Sequence, residues 1–66
     1  MIPRAGTRVR MIGVMPNDPD PMPVGAEGTV TGGSPSYGSL PGQIWVAWDN
    51  GRTLILLETD PYRIVS

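Results

Sequence analysis

The stretch from Gln43 to Leu56, QIWVAWDNGRTLIL, constrains the fold more than any other part of the chain. It holds two apolar runs on either side of Asn50-Gly51, the strongest short-range signal for a β-hairpin. Two turns fit it. A two-residue turn at Asn50-Gly51 pairs Trp48 with Thr53 and Trp45 with Leu56. A three-residue turn with a bulge at Gly51 pairs Trp48 with Arg52, Val46 with Leu54 and Trp45 with Ile55. A slip of one residue turns every side chain to the other face. Both registers keep Ile44, Val46 and Trp48 on one face, which is the better core face. Trp45 and Ala47 then point away from it, and Trp45 has an aliphatic partner opposite in either case.

The remaining segments also read as strands and turns. TRVRMIGV (Thr7 to Val14) alternates, with Val9 and Met11 on one face and Arg8, Arg10 and Ile12 on the other. MPNDPDPMPVG (Met15 to Gly25) carries four prolines, which forbid a helix and remove ladder donors, so an ordered or polyproline-like loop is expected. AEGTVTGG is a short strand around Thr29 and Val30. SPSYGSLPG (Ser34 to Gly42) is a second loop rich in turn formers, and the segment expected to move most. ETDP (Glu58 to Pro61) reads as one helical or 3-10 turn ended by proline, and YRIVS as a closing strand. No segment sustains a helical period. Five short strands, two long loops and one short 3-10 turn in a single domain spanning 1–66 point to an all-β, five-stranded SH3-like barrel, since closure hides sheet edges.

A chain of 66 residues has a thin core. It has no Cys and no His, so it has no disulfide and no ligands for a soft metal. NDPDP lacks the spacing and central glycine of a calcium loop. Self-association is the remaining way to supplement the core. No apolar run approaches the ~20 residues that cross a bilayer, and the first residues lack the apolar region of a signal peptide, so a cytoplasmic protein is expected.

Catalytic chemistry has few candidates. His, Cys and Lys are absent, and Ser34, Ser36 and Ser39 lie in a turn-rich loop with no base nearby. Asp18 and Asp20 alternate with prolines and read as solvated turn residues. GAEGTV lacks the Lys and the following helix of a phosphate loop. The expectation is no enzyme and no cofactor. Five arginines against six acids give a net charge of −1, which disfavours nucleic acid. Arg8 and Arg10 on one strand face, with Arg4, Arg52, Tyr37 and Trp45, nevertheless make a small nucleic-acid-binding barrel the alternative. The complete absence of Lys beside five Arg suggests a G+C-rich coding sequence.

Trp45 therefore has three readings. The proline-rich loop or a chain end covers it, or it anchors a contact with another chain, including a copy of this one, or it is a solitary surface residue of no consequence. On the second reading the contact surface comprises Trp45, Ile55, Tyr37, Arg8 and Arg10.

The order GTRVRMI, PVGAEGTV, IWVAWDNGRTLIL and YRIV resembles domain-of-unknown-function family 4314, small bacterial and phage proteins of no established activity. The resemblance runs from Gly6 to Val65. Its most specific parts are Gly25 to Val30 and Val46 to Gly51. It implies a core role for Trp48, the bulged register, and a small phage or bacterial accessory protein. It does not call for Trp at position 45. The strand order also resembles the SH3-like barrels of small photosystem and ferredoxin-thioredoxin reductase accessory chains, which bears on fold alone.

Overall fold

The computed structural model describes residues 2–66. It contains five strands, β1 (Arg8–Met11), β2 (Glu27–Ser34), β3 (Gln43–Trp48), β4 (Leu56–Leu57) and β5 (Tyr62–Ile64). They form one antiparallel sheet in the order β4-β3-β2-β1-β5. Among the described residues there is no helix, and hence none long and apolar enough to cross a membrane. The sheet is not closed, because no ladder joins β4 to β5.

Alternation places the core on one face. Val9, Met11, Val30, Ile44 and Leu56 are at most 1% exposed and Trp48 is 5% exposed. The long loop supplies the rest, for Met15 and Met22 are also buried there. Its prolines give an irregular but anchored path. Gly25 N–H donates to Met11 O at 2.8 Å, and Arg52 donates to the carbonyls of Asp20 and Pro21 at 2.7 and 3.0 Å. Asn50 Nδ2 also donates to Met22 Sδ at 3.3 Å. The proline-rich loop is thus tied to the β3–β4 turn and lids the core face, not the face of Trp45.

Pairing of β2 with β3 sets Gly28 opposite Trp48. A Cβ at Gly28 would come within 2.5 Å of Val46 Cγ1 and 2.8 Å of the Ala47 carbonyl oxygen. The Trp48–Val46 layer therefore needs a residue with no side chain here. Gly28→Ala is expected to lower stability by about 1–3 kcal/mol, the usual range for overpacking, read as the midpoint of urea unfolding.

The β3–β4 register is the one with the three-residue turn. Gln43 lies opposite Leu57 and Ile44 opposite Leu56, and Gly51 takes the left-handed conformation at φ 82°. Three expectations need correction. The second run of the hairpin is a strand only at Leu56–Leu57, and the Leu54 carbonyl before it accepts from the Trp48 indole N–H at 2.9 Å. The first strand stops at Met11 instead of reaching Val14. Glu58 to Pro61 form no 3-10 turn. They are a non-helical turn in which Asp60 N–H donates to Leu57 O and the Asp60 carboxylate accepts from Leu57 N–H, at 2.9 and 2.8 Å.

Candidate functional site

Trp45 lies on the outer face of β3 and is 44% exposed. Its position is set by a bulge in β2. Val30 faces Val46 and Gly32 faces Trp45, so Thr31 is the extra residue. A Cβ at Gly32 would stand 3.0 Å from Trp45 Cε3, so the indole lies over a bare stretch of backbone. Thr31 Oγ1 donates to the Trp45 carbonyl at 3.2 Å. The ring is therefore seated on its inner side and open on its outer side.

Where the β3–β4 ladder ends, a groove opens. It has a volume of about 440 Å³ and is lined by Thr31, Trp45, Val46, Ala47 and the segment from Thr53 to Ile55. Ile55 is 50% exposed beside it. Among the described residues, no charged side chain lines the groove. The chain from Gly28 to Trp48 also carries no charged residue, and this stretch includes the hairpin tip where Tyr37 and Leu40 pair. Tyr37 is 82% and Leu40 is 66% exposed. Two prominent apolar features, a groove and a projecting tip, thus belong to one uncharged run and its β3–β4 partner.

The basic residues behave differently. Arg8 is not free, since its Nη2 stands 2.6 Å from Asp49 Oδ2 and 3.3 Å from Glu27 Oε1, and its Nη1 donates to Thr29 Oγ1 at 3.0 Å. Its fork is spent on the outer face of its own sheet. Arg52 is held by the proline-rich loop and by Asp20 Oδ2 at 3.1 Å. Arg10 is exposed and makes no ion pair among the described residues. The structure thus brings Trp45 and Ile55 together. Tyr37 lies at the β2–β3 tip, and Arg8 and Arg10 are separated from the groove by β2.

The hydrogen bond from Arg8 holds the Asp49 carboxyl below the usual aspartate range, with charge attraction adding to it against the cost of desolvation. Asp49 also raises the Arg8 guanidinium above its ordinary value, chiefly through the same hydrogen bond. A carboxyl depressed in the folded state contributes stability above its unfolded pKa, and that contribution is lost as pH falls through the folded value. The denaturant midpoint is therefore expected to fall below about pH 4. Asp49→Asn should flatten part of that slope, while an unchanged slope in that variant would contradict the assignment.

Among the described residues, no group of three or more His, Cys, Asp or Glu is placed to hold a metal ion. No family model, curated protein or solved structure matches the chain.

Proposed function

We propose that this chain is a non-catalytic protein-interaction module that self-associates through the groove beside Trp45. One observation carries the reading: a half-seated tryptophan and Ile55 border an uncharged groove that the chain's own loops leave open. Tryptophan anchors dominate interface energetics, and the cores of interfaces are depleted of charge. A second copy is favoured as occupant because the same uncharged run carries the exposed Tyr37 and Leu40. A domain of this size also gains most from further apolar burial.

The SH3-like barrel belongs to the same proposal. Strands β4 and β5 are at opposite edges of the sheet, yet only Glu58 to Pro61 separate them. Five flat strands would place these edges about 19 Å apart. The turn closing on Leu57 shortens the reach of the connection below that, which supports a sheet curled around its core. A cytoplasmic setting and a role as a bacterial or phage accessory protein rest on the sequence alone. Sedimentation velocity at increasing concentration tests the reading. A rise in sedimentation coefficient supports it, and a strict monomer at high concentration removes it.

A further inference from the structure

At the other end of the outer face, Arg10 on β1 lies directly opposite Arg63 on β5. Both are exposed, and neither makes an ion pair among the described residues. Directly opposed residues on antiparallel strands hold their Cβ atoms about 4.5–5.5 Å apart, and like charges there are destabilising. The neighbour that could neutralise them is engaged elsewhere. Glu27 is the cross-strand partner of Arg10 on β2, but its carboxylate stands 3.3 Å from Arg8. In a chain with six acids and a net charge of −1, this is a local pair of guanidiniums with no ion-pair partner among the described residues.

Two apolar residues flank the pair. Ile12 continues the face of Arg10 and is 54% exposed, with its N–H donated to Pro61 O. Val65 continues the face of Arg63 and is 38% exposed, with its N–H donated to Arg8 O. We propose that Arg10 and Arg63 form a two-guanidinium clamp for a carboxylate of an acidic segment in a partner protein, with Ile12 and Val65 as its apolar flanks. Planar guanidinium forks match carboxylate oxygens bidentately. A phosphodiester chain fits less well. Nucleic acid needs a track of cations, whereas the next guanidinium on this face, Arg8, is already paired with Asp49 and Glu27. The clamp lies across β2 from the Trp45 groove and does not depend on self-association.

The test is an amide-shift titration of the isotope-labelled protein with an oligoglutamate peptide at low salt. Shifts confined to β1 and β5 are expected, and they should vanish near 1 M salt, where screening acts within about 3 Å. Arg10→Gln and Arg63→Gln should each weaken binding about tenfold, the loss of one charge-assisted pair of bonds. Arg63→Glu should abolish binding and also raise the urea midpoint, because a cross-strand ion pair replaces a repulsion. The proposal is overturned if the wild type shows no shifts, if the glutamine variants bind as well as the wild type, or if oligothymidine binds more tightly than oligoglutamate. A midpoint that falls in Arg63→Glu would equally count against an unbalanced arginine pair.

Discussion

Trp48→Ala is expected to leave the chain without a stable fold at room temperature. The side chain is 5% exposed and belongs to the buried core cluster with Val9, Met11, Val30 and Ile44. Truncating a buried aromatic to alanine costs about 3–5 kcal/mol. A domain of this length has a total stability of about 3–10 kcal/mol. The variant also frees the Leu54 carbonyl, which the indole N–H now satisfies at 2.9 Å. Near-ultraviolet circular dichroism should lose its fixed aromatic signal. Trp48→Phe is the milder change, since it keeps an aromatic ring in the core but loses the hydrogen bond and part of the buried volume, at a cost of about 1–3 kcal/mol. A Trp48→Ala protein that unfolds cooperatively within about 1 kcal/mol of the wild type would contradict the core assignment.

Trp45→Ala should show the opposite pattern. The ring covers Gly32 and part of the groove but seals no core residue, so its removal should cost stability no more than about 1 kcal/mol. Association should suffer far more. Loss of a central tryptophan anchor removes about 2 kcal/mol or more of binding, which is about thirtyfold in the dissociation constant. Concentration-dependent sedimentation of this variant beside the wild type reads the difference. On the proposed reading the two tryptophans, three residues apart, divide folding and docking between them. A Trp45→Ala protein that associates as strongly as the wild type would remove the groove from the interface.

That Trp48 enters the core while Trp45 turns to the outer face was legible because it depends on local alternation. Ile44, Val46 and Trp48 make one face of β3 whatever the register, and a strand forces Trp45 to the other. The alternation of Val9 and Met11 was legible for the same reason. Met15 and Met22 were not. They reach the core from a proline-rich loop, where no period marks which side chains turn inward. The bulge at Thr31 was equally hidden, since one extra residue among threonine and glycine leaves no pattern. The shortness of β4 was hidden too, since strand propensity carries no trace of the Trp48 indole bond to the Leu54 carbonyl.

Longer-range pairings lay further out of reach. Arg8 looked available because its partner Asp49 is separated from it by 41 positions and joins it only when β1, β2 and β3 assemble. The opposition of Arg10 and Arg63 needs the register of the last strand, and a three-residue strand contains too little to set one. The open groove could not be read from a sequence in which both arms of the hairpin look like continuous strands. It exists because the ladder ends at Ile44 and Leu56.

A dilution series of amide spectra on the labelled wild-type protein tests the central claim most directly. Concentration-dependent shifts are expected at the Trp45 indole, Thr31, Ala47 and Ile55, together with Tyr37 or Leu40 from the facing copy. Spectra that superimpose from the lowest to the highest concentration, or shifts that cluster away from the groove, would contradict it.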